Sequence, residues 1–174
     1  MNLVIKRIIV VCLSVVLVLS IASTAFANRI LAINPGGITY KYGSIATAAQ
    51  SAFNQATSDW NSAVTGINFN SSSSSSNQLY SLYSTGIAER GEVIWRNPVY
   101  PVHANIYANF DSYINTAYSA GTNNYRSTAN HEFGHVLGLD HASGNVIMNG
   151  NRDREVIYIP QTGDKNGVKS IWGL

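Results

Sequence analysis

The stretch "HEFGHVLGLDH", residues 131–141, holds three of the chain's four histidines together with Glu132, Asp140, Gly134 and Gly138. His131 and His135 are four residues apart, so on a helix they project from one face, one turn above the other. Ala129 to Leu137 carries no proline and only Gly134 as a weak helix former, which permits a helix there. Gly138 then offers a residue able to take positive φ, which ends a helix sharply and turns the chain back. That turn lets His141 approach the point shared by His131 and His135 from a second direction. The plain alternative is a core helix and a turn with ordinary histidines. Five specified positions at fixed spacings weigh against it, because at about 5% per residue type a chance match is on the order of 10⁻⁴ or less per chain.

Convergence of three neutral imidazoles has a chemical meaning. With a water in the fourth position they make a tetrahedral zinc site with an open coordination place, the catalytic rather than the structural pattern. Glu132, next to the first ligand, fits the general base that takes a proton from that water, the logic of zinc peptidases. His131, His135 and His141 are therefore the expected metal ligands, Glu132 the expected catalytic base, and Gly138 the residue of the helix-terminating turn. Asp140 is expected to support either a ligand or the turn.

The first 27 residues read as a secretory signal peptide. Lys6 and Arg7 precede an apolar run from Ile8 to about Ile21, and the segment closes on Ala25-Phe26-Ala27. The apolar run is short for a membrane span, which wants about 20 residues. Cleavage leaves residues 28–174 as one domain, with nine basic residues against nine acidic. A near-neutral chain argues against a nucleic-acid partner, for which a basic patch is expected. The single cysteine, Cys12, leaves with the signal, so disulfides contribute nothing to the mature chain. A secreted, extracellular monomer without membrane attachment is expected.

Along the rest of the chain, "RILAI" (29–33) reads as a strand ending at Asn34-Pro35-Gly36-Gly37, and "ITYKYG" as an extended segment. Residues 44–64 place Ile45, Ala49, Ala52, Phe53, Ala56, Trp60 and Val64 on one helical face, with Ser44 as N-cap and Gly66 ending the element. Ile67 and Phe69 alternate as in a strand. The six serines 71–76 cannot supply a core and predict a flexible surface loop. Further strands are expected at 91–96, stopped by Pro98 and Pro101, at 103–110 and at 112–118. A polar loop, "SAGTNNYRS", leads into the histidine segment, and "GDKNGVKSIWGL" reads as a last helix capped by Asp164. This order fits mixed α/β layers around one main sheet, the α+β class.

"HEFGHVLGLDH" fits the H-E-x-x-H-x-x-G-x-x-H signature of the metzincin clan of zinc metallopeptidases, and within it resembles the matrixin-type catalytic domain, in a small secreted form. Met148, in "NVIMNG", resembles the methionine of the tight turn beneath the zinc. Asp164, Asn166, Gly167 and "IWG" stand in the order of the matrixin tail, and "INTAY" resembles the segment before the active-site helix. The resemblance implies a twisted, mostly parallel sheet with an antiparallel edge strand, an active-site helix, the Met-turn and a C-terminal helix. It also implies a zinc metalloendopeptidase of the EC 3.4.24 class with one catalytic zinc and a protein or peptide substrate. In the clan the substrate lies extended along an edge strand, which by position is expected at His103, Ala104, Asn105 and Ile106. The pocket that sets side-chain preference is expected to be shaped by the loop around residues 142–160.

The chain departs from the family in three ways. No cysteine-switch segment is found, and only His103 remains for a second, structural zinc, so a three-histidine structural site cannot be built. Gly150, not tyrosine, stands two residues after Met148. Calcium is possible, but the nine acids show no clustered pattern in its favour. Two rival readings stay open: a zinc hydrolase of cell-wall peptides, and a secreted metal-binding or adhesive module without turnover.

Overall fold

Ala49, Ala52, Phe53, Ala56 and Trp60 recur at three- and four-residue steps, and the helix they specify, α1 (Thr47–Ala63), buries all five. In the computed structural model, which describes residues 33–99, 106–118 and 121–174, this helix packs against one main sheet and a second helix, α2 (Thr122–Val136). The sheet holds β1 (Ile38–Tyr42), β2 (Phe69–Ser71), β3 (Gln78–Leu82), β4 (Gly91–Val99) and β5 (Ile106–Asn115), in the order β2-β1-β3-β5-β4. Every neighbouring pair is parallel except β4 with β5, so the sheet is mostly parallel with one antiparallel edge strand. A last helix, α3 (Thr162–Trp172), adds Val168 to the core and donates from Trp172 Nε1 to the carbonyl of Leu137. Mixed layers of helix and sheet around one core are the α+β arrangement expected from the sequence.

Aromatic packing fixes how α2 sits. Phe133, fully buried, stacks on Phe69 at 4.3 Å between ring centroids and meets Phe53 and Tyr40 at 5.5 and 6.1 Å. Burying a phenylalanine side chain stabilises by about 1.5–3 kcal/mol. Phe133 therefore pins the middle of α2 to α1 and to strands β1 and β2. Trp60 of α1 reaches the same helix, its Nε1 donating to the carbonyl of Asn130 at 3.0 Å.

Several elements differ from the sequence reading for identifiable reasons. α2 begins at Thr122, so "TNNYRS" forms its first turns rather than a loop. Weak intrinsic propensity is overridden by bonds from neighbours: Arg126 pairs with Asp59, Asn123 Nδ2 donates to the carbonyl of Glu155, and Ser127 Oγ to that of Ile157. α1 starts after Ala46, not at Ser44, whose carbonyl instead accepts from the Ser81 amide of β3. The serine run is tied down as well. Ser75 is buried, and its Oγ accepts from Thr39 Oγ1 and from the Asn77 amide. Ile33 lies outside any strand and donates to the carbonyl of Val136 at the end of α2.

The edge strand is also elsewhere than expected. β4 continues through Pro98, which pairs with Tyr107. An edge strand tolerates proline, because half of its amides have no strand to meet. The two strands expected at 103–110 and 112–118 are one, β5, and it lies between β3 and β4. Ile106, its first residue, pairs with Val99 of β4. Among the described strands β4 pairs with β5 alone, which puts it outermost. His103, Ala104 and Asn105 lie outside the described residues, as do the segment 1–27 and most of "RILAI".

Candidate metal centre

The end of α2 is shaped by its glycine. Gly138 has φ 94°, and the two capping bonds of a left-handed helix end are both present, Leu139 N to the Gly134 carbonyl at 3.0 Å and Gly138 N to that of His135 at 2.9 Å. The chain reverses there, and His141 comes back over the face that carries His131 and His135. One ring nitrogen from each of the three lies within 4.8 Å of the others. His131 Nε2 and His141 Nε2 are 3.1 Å apart.

Tautomers follow from the remaining hydrogen bonds. His131 Nδ1 lies 2.8 Å from the Ile147 carbonyl, and His135 Nδ1 lies 2.9 Å from the Leu139 carbonyl. A carbonyl can only accept, and the 2.8 Å approach of the Ile147 carbonyl to His131 Nδ1 is shorter than the 3.2 Å approach of the donor Arg152 Nη1, so both Nδ1 atoms are assigned the hydrogen and both Nε2 atoms a lone pair. Burial, first, and the neighbouring His135 push the His131 ring well below the ordinary histidine range, and burial also lowers His135. Both are neutral at pH 7, the form that binds metal without releasing a proton. These observations test the fit of the zinc that such a triad implies. Tetrahedral zinc with Zn–N of about 2.0–2.1 Å separates its ligand nitrogens by roughly 3.3–3.4 Å. Two lone pairs facing each other at 3.1 Å repel unless a cation lies between them. The donor set fits zinc.

Glu132 borders the same cleft, which has a volume of about 310 Å³ and is lined on its other wall by Gly91, Glu92, Val93 and Trp95 of β4. Its side chain is buried, and burial raises its carboxyl from 4.5 to about 8, with Glu92 adding to the rise and Arg152 opposing it. Space for the carboxylate is made by the first residue of β4. A Cβ on Gly91 would stand 2.8 Å from Glu132 Oε1 and 2.9 Å from the carbonyl of Tyr113.

The triad rests on a second buried group. Asp164, fully buried at position N3 of α3, accepts from three backbone amides: Ile147 at 2.8 Å, Met148 at 3.2 Å and Gln161 at 2.8 Å. It thus fixes the turn whose Ile147 carbonyl orients His131. Asp164 is not the N-cap expected from the sequence. Gln161 is, and the two form a capping box. Burial raises the Asp164 carboxyl while its amide bonds hold it down. Met148, buried in the same turn, lies against Gly134, where a Cβ would come 2.3 Å from the Met148 Sδ.

Arg152 closes this side. Its guanidinium donates to Ser127 Oγ at 2.8 Å, the Ser127 carbonyl at 2.7 Å and the Asn149 carbonyl at 2.9 Å. Burial pushes it down to about 9, which still leaves it charged at neutral pH, 3.2 Å from His131 Nδ1. Asp140 serves the turn, its Oδ1 accepting from the His141 amide at 2.7 Å.

Of the residues singled out from sequence, His131, His135, His141 and Glu132 are brought to one cleft, with Met148 and Gly138 shaping its floor and its end. Ile106 belongs to β5, and the strand that lines the cleft is its neighbour β4. Gly91, Gly134, Arg152 and the bonding role of Asp164 escaped the sequence reading. Only Asp164 left a signal, as a helix-start acid. A family model described as Matrixin matches residues 38–173, which span every element from β1 to the end of α3. Comparison with curated proteins gives no match.

Proposed function

Since the chain belongs to the matrixin family of zinc-dependent metalloendopeptidases, we propose that it is a secreted enzyme that hydrolyses peptide bonds with Glu132 as general base and His131, His135 and His141 as zinc ligands. The observation that carries this reading is the convergence of three imidazole nitrogens within 4.8 Å beside a buried carboxyl that borders the same cleft. When bound, zinc supplies a Lewis acid that polarises the scissile carbonyl and brings the pKa of a water toward about 7.

The chain's own residues do the rest. Glu132 takes the proton of the attacking water and delivers it to the leaving amine. Burial raises this carboxyl in the metal-free chain, and a cation bound beside it would favour the ionised form that acts as base. The Ile147 and Leu139 carbonyls hold His131 and His135 in the metal-binding tautomer. Met148, from the turn tied to Asp164, packs beneath the helix that carries them. A substrate strand would lie extended along β4, whose outer side pairs with no strand among the described residues.

Secretion rests on the charged, apolar and Ala-x-Ala order of residues 1–27, and no helix among the described residues is long and apolar enough to cross a membrane. Residues 28–174 would form the catalytic domain, acting as a monomer. Mass spectrometry of the exported protein is expected to give an N-terminus at Asn28. Metal analysis is expected to give one zinc per chain. Glu132→Gln is expected to keep that zinc and lose about 10²- to 10⁴-fold in casein hydrolysis. Unchanged hydrolysis by this variant in metal-clean buffer would sink the assignment of Glu132.

A further inference from the structure

A second cavity, of about 480 Å³, shares His131, Glu132 and His141 with the cleft and runs on past Arg90, Arg152 and Arg154. Three guanidiniums border it, yet none makes an ion pair among the described residues. The ion pairs there, Arg96–Asp111 and Arg126–Asp59, lie elsewhere. The acids at its border are Glu132, assigned to the reaction, and Glu89, which is exposed.

The three arginines differ in what their donors do. Arg152 spends all three of its nitrogens on Ser127 and Asn149 and is a strut. Arg90 donates from Nη1 to the carbonyl of Tyr118 and lies over that ring, which steadies the guanidinium and leaves its other donors open. Arg154 donates from Nη2 to the Gly150 carbonyl at 3.2 Å, while its Nε is buried with no partner. A guanidinium has five N–H donors, and a buried donor without an acceptor is costly. Arg90 and Arg154 line one cavity, and burial and then Arg90 hold Arg154 below its ordinary value. The acids that border the cavity, Glu132 and the exposed Glu89, form no ion pair with either arginine. An anion entering the cavity would satisfy both forks at once.

We propose that the cavity between Arg90 and Arg154 is an acid-selective subsite that binds a carboxylate carried by the substrate next to the scissile bond. The subsite rests on the peptidase reading and adds the substrate class to it. Two sources of carboxylate share this chemistry, an Asp or Glu side chain and the C-terminal carboxylate of a short peptide.

The test uses the zinc-loaded enzyme and peptides that vary the residues flanking the scissile bond among Glu, Gln, Leu and Lys, each made as C-terminal acid and amide. Glu is expected to exceed Gln in kcat/KM by about 10- to 100-fold at one flanking position, the scale of a hydrogen bond to a charged group. The advantage should shrink as salt rises. A preference that follows the terminal acid instead assigns the same subsite to C-terminal carboxylates. Arg154→Glu should invert the preference toward Lys, and Arg154→Lys should keep part of it. Arg90→Glu, expected to invert it too, serves if the first variant melts early. Cleavage of all peptides with Glu no better than Gln, in acid and amide alike, would overturn the subsite and leave the peptidase reading standing. A preference untouched by both reversals would do the same. No hydrolysis of any peptide or of casein would overturn the peptidase reading, and the subsite with it.

Discussion

The histidine triad divides two regions built on opposite rules. On the supporting side, Asp164, Arg152 and the carbonyl of Ile147 are all bonded, and Met148 fills the space that Gly134 leaves beside it. On the cleft side, the Glu132 carboxyl faces two cavities, and Arg154 Nε is buried without an acceptor among the described residues. Satisfied polar groups resist movement, whereas unsatisfied ones are poised for a ligand that completes them. The first region holds geometry and the second holds capacity for metal and substrate.

Breaking the supporting side should cost the most. Asp164→Ala removes the acceptor of three backbone amides, at least two of them buried. At about 1–3 kcal/mol for each unsatisfied group, a loss of about 3–5 kcal/mol is expected in urea unfolding of the metal-free protein. Zinc affinity should fall about 10- to 100-fold as the Ile147 carbonyl shifts from His131.

On the cleft side the sign is reversed, because Glu132 costs stability that Gln would not. Its carboxyl ionises at about 8 in the folded metal-free chain and at 4.5 when unfolded. Between those values the folded state binds more protons, so stability falls as pH rises from 4.5 to 8. Glu132→Gln should flatten that fall, gaining on the order of 2–4 kcal/mol over the parent at pH 8 and little at pH 4.5. Melting curves of both metal-free proteins across this range check it. A parallel pH dependence in the two would contradict the burial argument.

A smaller effect tests the contact between helix and turn. Gly134→Ala improves helix propensity by about 1 kcal/mol, yet its Cβ would meet Met148 Sδ. A net loss of about 1–2 kcal/mol is expected, and it should vanish in a Met148→Ala background, which a double-mutant cycle measures. The smallest effect lies outside both regions. Arg96→Gln breaks an ion pair that is 40% and 20% exposed at its two side chains, and should cost less than about 1 kcal/mol.

How far the sequence could be read depended on how far apart the interacting residues lie. The i, i+4 histidines and the glycine turn are local, so their convergence was visible in eleven consecutive residues. α1 was visible for the same reason, as one apolar face. The start of α2 was not, since "TNNYRS" is held helical by Asp59, Glu155 and Ile157 rather than by its own propensity. Asp164 was recognisable as a helix-start acid, but its bonds to the Ile147 and Met148 amides depend on how α3 docks. The edge strand was misplaced because alternating residues mark a strand without saying which neighbour it takes.

The sequence by itself determined the candidate ligand set, the family resemblance and the mixed helix–sheet architecture, because helical period, glycine conformation and apolar patterning act over a few residues. Only the tertiary structure decided that β4 is the strand lining the cleft, that Gly91 makes room for Glu132, and that Arg90 and Arg154 face one cavity. Those are relations between residues dozens of positions apart, fixed by strand order and by the packing of α2 on the sheet. No local preference encodes them.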